Sequence, residues 1–194
     1  MKNPEQIETV IYGGAFNPPT LAHQEILQAA VNYARPHGGE VWVMPSGNRL
    51  DKAIPATREQ RLAYVAGMIE DTDTTGVPTS VYTAELDRSI AVETYDTVVE
   101  LAHTYPEREF RWVFGADSTE TMGEWQHGDW LLQNLAMLVV ERAGSTINPL
   151  AMRAVALTIP HLDLSSTELR RRMEQGEPFD DMVGQRVFSI LTAS

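Results

Sequence analysis

The chain contains no cysteine, which excludes disulfides, thiol nucleophiles and cysteine-held zinc and is compatible with a reducing compartment. No stretch approaches the roughly 18 apolar residues of a membrane-spanning helix, and the opening MKNPEQIETV lacks the apolar heart of a signal peptide. A soluble, cytoplasmic protein without a membrane partner is therefore expected. Cations are scarce: 15 Lys and Arg stand against 27 Asp and Glu, for a formal net charge of -12. Non-specific affinity for DNA or RNA rests on Lys and Arg neutralising phosphates, so this balance argues against a nucleic-acid partner. A phosphate-rich small ligand would need positive charge gathered locally or brought in by a metal ion. Internal repeats and low-complexity tracts are also absent.

What is present is globular in character. With 43% apolar and 22% charged residues over 194 positions, the chain is long enough to bury a full core and reads as one domain spanning residues 1–194. Its most informative stretch is residues 10–23, VIYGGAFNPPTLAH. A short apolar run meets Gly13 and Gly14, then a Pro-Pro turn, then a segment in which Leu27, Ala30, Val31 and Ala34 fall at i, i+3, i+4, i+7. This is a strand, a loop stripped of side chains and a helix. Thr20 and His23 both sit at the start of that helix, where unpaired amides and the helix dipole favour an anion such as phosphate. Plainer readings stay open: a double glycine after a strand often only turns the chain, and a lone His on an apolar helix face is more often a bonded core residue.

Further along, residues 40–44 read as a second buried strand, giving a parallel pair with a right-handed crossover. The breaker-rich loop 45–55 carries Arg49 and Lys52 and lies where loops line the crevice of parallel sheets, although a solvated loop is the simpler expectation. Thr57 to Gln60 fits a T-x-x-Q capping box, followed by a stripe of Leu62, Val65, Ala66 and Ile69, with Arg58 and Arg61 on the solvated face. A third strand is expected over 81–86, and a helix on Tyr95, Val98, Val99 and Ala102 with Thr94 in its first turn. The run 110–115 has the character of a central strand, leading directly into Asp117. Residues 135–140 and 155–159 supply fifth and sixth strands. Trp130 is expected to fill core space. Ser165 to Glu168 fits a second capping box, and 182–191 reads as a closing helix. Alternating strands and helices imply an α/β protein: a Rossmann-like, doubly wound parallel sheet of five to six strands with helices on both faces.

The 10–23 stretch resembles the signature of the nucleotidyltransferase superfamily, G-x-F-[DN]-P-x-[HT]-x-G-H, through Gly14, Phe16, Asn17, Pro18, Thr20 and His23. Ala22 stands where Gly is usual, and Thr20 takes the place often held by a first His. Residues 164–170, LSSTELR, resemble the second signature, I-S-S-T-x-I-R. Between them, ELDRSIAVETYDTV and the GADS...W run with Trp125 are similar to elements of bacterial nicotinate mononucleotide adenylyltransferases, whereas Asn17 with Thr20 is closer to the eukaryotic pattern.

The resemblance implies transfer of AMP from ATP to the phosphate of nicotinate or nicotinamide mononucleotide, with release of pyrophosphate, in NAD biosynthesis. It implies His23 as a donor to the ATP phosphates, Thr20 assisting it, and Lys52 neutralising charge between the reactants. Gly13, Gly14, Phe16, Asn17, Ser165, Ser166, Thr167 and Arg170 would hold ATP. Lys52, Thr94, Asp117 and Trp125 would hold the mononucleotide. Mg2+ is implied as the companion of ATP, with no protein metal ligands assigned. ATP and a pyridine mononucleotide are then the partners, and self-association into a homo-oligomer stays open. Two alternatives remain at this point: the same fold acting on another phosphate acceptor, as in pantetheine-phosphate adenylyltransferases or cytidylyltransferases, and a nucleotide-binding regulator without turnover.

Overall fold

The structure is a computed structural model that describes residues 6–47, 54–88, 90–141, 145–160 and 163–193. Six parallel strands form its centre: β1 (Ile7–Gly14), β2 (Glu40–Pro45), β3 (Thr79–Val81), β4 (Arg108–Gly115), β5 (Met137–Val140) and β6 (Ala154–Leu157). Their order is β3-β2-β1-β4-β5-β6, so the direction of winding reverses between β1 and β4. In a sheet of this order, ligands bind outside the carboxyl ends of the strands at that reversal.

Burial on both faces explains why the inner strands read as continuous apolar runs. Val10 and Tyr12 of β1, Val41 and Val43 of β2, Val113 of β4 and Leu138 of β5 point to one face. There they meet α1 (Leu21–Ala34), α2 (Arg58–Glu70), α6 (Ser166–Gln175) and α7 (Gln185–Thr192). Ile11, Trp42, Met44, Trp112, Met137 and Val139 point to the other, against α3 (Thr94–Thr104), α4 (Ala116–Thr121) and α5 (Gly128–Asn134). The period-2 alternation thus divides one apolar sequence between two cores.

The stripe expected on α1 is fully buried at Leu27, Ala30, Val31 and Ala34. Two other helices are rotated from their expected faces. On α2 the buried set is Arg61, Tyr64, Val65, Gly67 and Met68, while Ala66 faces solvent. On α3 it is Thr97, Val98 and Leu101, and Val99 is 46% exposed. Periodicity alone admits either face when apolar residues flank the seam, and the packed neighbour decides. The third strand ends at Val81, because Thr83 and Asp87 close a turn: the Asp87 N–H donates to the Thr83 carbonyl at 3.0 Å, and the Thr83 hydroxyl donates to the Asp87 carboxylate at 2.7 Å. Trp130, expected inside, is 43% exposed, with its ring edge-on to Tyr95. α7 corresponds to the expected closing helix. Its first turn is capped from outside by Asp71, whose carboxylate accepts from the Arg186 N–H at 2.9 Å.

Candidate active site at the sheet reversal

Strand β1 delivers Gly13 and Gly14 to the carboxyl edge of the sheet. Beyond them Phe16 adopts φ 46°, a region a bulky side chain rarely occupies. Burial holds it there: the Phe16 ring is 0% exposed and packs edge-on to Tyr12 at 5.2 Å between centroids. Gly14 is what makes room, because a Cβ at that position would stand 2.9 Å from the Phe16 ring. The Asn17–Pro18 peptide is cis.

Thr20 then caps α1. Its main-chain N–H donates to His23 Nδ1 at 3.1 Å, and its hydroxyl lies 2.9 Å from the same nitrogen. A main-chain N–H can only donate, so Nδ1 is the acceptor and the ring proton sits on Nε2. Thr20 is 2% exposed, His23 is half-buried, and its ring packs edge-on to Phe16 at 5.8 Å.

The second signature is brought to the first across the whole chain. The Ser166 hydroxyl donates to the Pro18 carbonyl at 2.8 Å, and Arg170 donates to the Asn17 carbonyl at 2.7 Å and to the Thr167 hydroxyl at 3.3 Å. Ser165 caps α6 by accepting from the Glu168 N–H at 3.1 Å. The reciprocal half of the expected capping box is not made, because Arg171 and Arg172 take the Glu168 carboxylate. By contrast, the Thr57–Gln60 box on α2 is complete. The amino termini of α1 and α6 therefore meet beside the glycine loop, two sets of amides with like partial charge at one place.

Next to this lies an open cavity of about 510 Å³. Ser46 and Gly47, after β2, line one side of it; Arg88, Glu93, Thr94 and Trp125 line others. Trp125 packs edge-on to Phe114, with ring centroids 6.1 Å apart. Arg88 is anchored by Thr97, whose hydroxyl accepts from it at 3.0 Å and donates to Glu85 at 3.0 Å, and by an ion pair with Glu100. Asp117 stands in the first turn of α4, exposed, outside the residues that line the cavity, whereas its neighbour Ser118 lines it. Lys52, Arg49 and Arg142 lie outside the described residues.

Arg61 departs furthest from expectation. Far from being solvated, it is 4% exposed: Nε donates to the Ala15 carbonyl at 2.9 Å and Nη2 to the Ser46 carbonyl at 2.5 Å. Burial pushes its guanidinium down from the ordinary arginine range, and the negative charge of Glu85 opposes that shift. The sequence permitted this placement without deciding it, since Arg61, Tyr64, Val65 and Met68 follow i, i+3, i+4, i+7 as well as the expected stripe does; a charged residue is excluded from such a stripe by habit rather than by geometry.

An all-parallel sheet of Rossmann order, with a glycine loop and two helix amino termini converging at its reversal, defines a nucleotide-binding α/β protein. The chain belongs to the cytidylyltransferase-like family, whose family model matches residues 11–172, and with it to the nucleotidyltransferases. It is similar to "Probable nicotinate-nucleotide adenylyltransferase" of Exiguobacterium sibiricum, 30% identical over 183 residues that cover 93% of this chain and 94% of the relative. A protein of the same name from Herpetosiphon aurantiacus is 30% identical over 190 residues, covering 93% of each chain. In fold it is similar to Plasmodium falciparum nicotinic acid mononucleotide adenylyltransferase complexed with NaAD, with a TM-score of 0.81 and 21% identity over 97% of this chain and 96% of that one.

Proposed function

We propose that this protein is a nicotinate-nucleotide adenylyltransferase, moving AMP from ATP to the phosphate of nicotinate mononucleotide and releasing pyrophosphate. The observation that carries this reading is the meeting of the two signatures. Ser166 and Arg170 bond to the carbonyls of Pro18 and Asn17, so the amino termini of α1 and α6 stand together beside the glycine loop, with a cavity roomy enough for a second nucleotide nearby. The names of the relatives that span nearly the whole chain support nicotinate as the pyridine.

The acceptor phosphate is mostly dianionic at neutral pH, its second pKa being about 6, and attacks the α-phosphorus without a general base. The bond from that phosphorus to the pyrophosphate oxygen breaks, and positioning with charge stabilisation supplies the rate. His23, held by Thr20 with its proton on Nε2, donates to the phosphate oxygens as charge develops. Gly13, Gly14, Phe16 and Asn17 present main chain to the nucleotide; Ser165, Ser166, Thr167 and Arg170 grip the polyphosphate. Thr94 and Trp125 hold the pyridine side, with Asp117 at its edge, and Lys52 would have the role of neutralising charge between the reactants. Magnesium enters as MgATP, part of the substrate, where it would neutralise charge on the polyphosphate. Residues 1–194 work as one nucleotidyltransferase domain, in which Met182, just before α7, accepts from the Leu21 N–H at 2.8 Å and so ties the closing segment to the start of α1. A cytosolic setting fits the absence of cysteine, and among the described residues no helix is long and apolar enough to cross a membrane.

The test is pyrophosphate release from MgATP with nicotinate and nicotinamide mononucleotides offered separately. Release with a higher kcat/KM for nicotinate mononucleotide is expected. Release only with pantetheine phosphate, or from CTP, would replace the substrate, and ATP binding without turnover on any acceptor would make the protein a regulator.

A further inference from the structure

Arg61 is a buried cation on a helix that contributes nothing else to the site. Among the described residues its hydrogen-bond partners are two main-chain carbonyls, with no carboxylate at ion-pair distance. Taking a guanidinium out of water is costly, and the negative charge of Glu85 offsets this only from beyond ion-pair distance, so what it holds together matters. The two carbonyls belong to the loops after β1 and β2, and a third bond closes the set: the Ser46 N–H donates to the Gly14 carbonyl at 2.8 Å. Gly14, Ala15 and Ser46 are thereby locked to one another through a single planar fork. On one side of this clamp the chain enters Phe16 at φ 46°; on the other it forms the Ser46–Gly47 wall of the cavity.

We propose that Arg61 is a positioning residue for adenylyl transfer: by bridging Ala15 and Ser46 it sets the distance between the nucleotide loop and the acceptor cavity. The inference rests on the adenylyltransferase reading above. A methionine could fill the same space, but it would leave both carbonyls unpaired and both loops free to move apart. A lysine would keep the charge but, lacking a planar fork, could not hold both carbonyls in the same geometry.

The experiment compares Arg61→Met and Arg61→Lys with the wild type, using Arg58→Met, at the exposed start of the same helix, as control. Hydrogen exchange in ligand-free protein reads segments 14–17 and 45–47 directly. Steady-state kinetics read kcat and the two KM values. In Arg61→Met we expect exchange about tenfold faster in both segments with β5 unchanged. We also expect kcat/KM to fall about 100-fold, mainly in kcat, since small misplacements of reacting groups carry losses of that order. Arg61→Lys should lie between, and Arg58→Met should match the wild type. Unchanged exchange in Arg61→Met, or faster exchange with wild-type kcat/KM, overturns the proposal. Should Arg61→Met fail to fold, Arg61→Lys decides by the same two readouts. A wild type inactive on every acceptor would sink the adenylyltransferase reading instead; exchange and calorimetric ATP affinity would then judge the clamp, and wild-type values of either in the variants would overturn it.

Discussion

The main-chain N–H of Thr20 meets Nδ1 of His23 at 3.1 Å, and the Thr20 hydroxyl approaches the same nitrogen at 2.9 Å. A helix-capping contact thereby also fixes an imidazole tautomer. The capping and catalytic readings of these two residues are not rivals, because the bond that satisfies an orphan amide is the bond that leaves the proton on Nε2.

Replacing His23 by Ala removes that donor while leaving the loop glycines in place. Turnover should fall about 100-fold or more, the size of loss seen when a single transition-state donor is deleted. The KM for ATP should change far less, as expected of an interaction made in the transition state. Rapid-quench measurement of pyrophosphate formation checks it; near-normal turnover removes His23 from the chemistry.

Trp125 presents its ring to the cavity from a position fixed by Phe114. A pyridinium stacked on an indole gains about 0.5–2 kcal/mol, so Trp125→Ala should raise the mononucleotide KM by roughly two- to thirtyfold. The KM for ATP should stay put, since the residues proposed to hold ATP lie on other elements. Equal shifts in both would mean that Trp125 supports the fold rather than the ligand.

At the opposite end of the sheet, Glu8 has a side chain 1% exposed and pairs with Arg111 at 2.7 Å. Removing Glu8 leaves the Arg111 guanidinium with Glu109, 3.9 Å away, as its carboxylate, and Glu8→Ala should lose about 3 kcal/mol of stability, the low end for breaking a buried pair. Urea unfolding of the variant against the wild type measures it. A loss below about 1 kcal/mol would place this pair with the weak surface ones.

The Arg171 and Arg172 guanidinium groups hold the Glu168 carboxyl down at about 2, against an ordinary 4.5. A depressed carboxyl contributes stability that is present above pH 4.5 and lost as pH falls toward 2. The midpoint difference between wild type and Glu168→Gln should therefore be widest near neutrality and close across that window. Because the group is exposed, the difference should also shrink in high salt. A gap that persists at pH 2 would assign the effect to helix packing instead of charge.

Much of this protein was legible in its sequence because the physics concerned is local. Two glycines after an apolar strand, a T-x-x-Q cap, and Leu27, Ala30, Val31 and Ala34 in one stripe each follow from backbone conformation and period over a few residues. Six strands alternating with helices left little choice but a parallel sheet, and both signatures could be recognised where they stood. Tertiary structure alone decided which face of α2 and α3 is covered, that Trp130 faces outward, and that Arg61 turns inward to two carbonyls. It also brought Asn17 to Arg170, 153 positions apart. The reason is range: caps and turns are satisfied by neighbours in sequence, whereas a side chain's burial and partners are set by whichever element the fold lays against it.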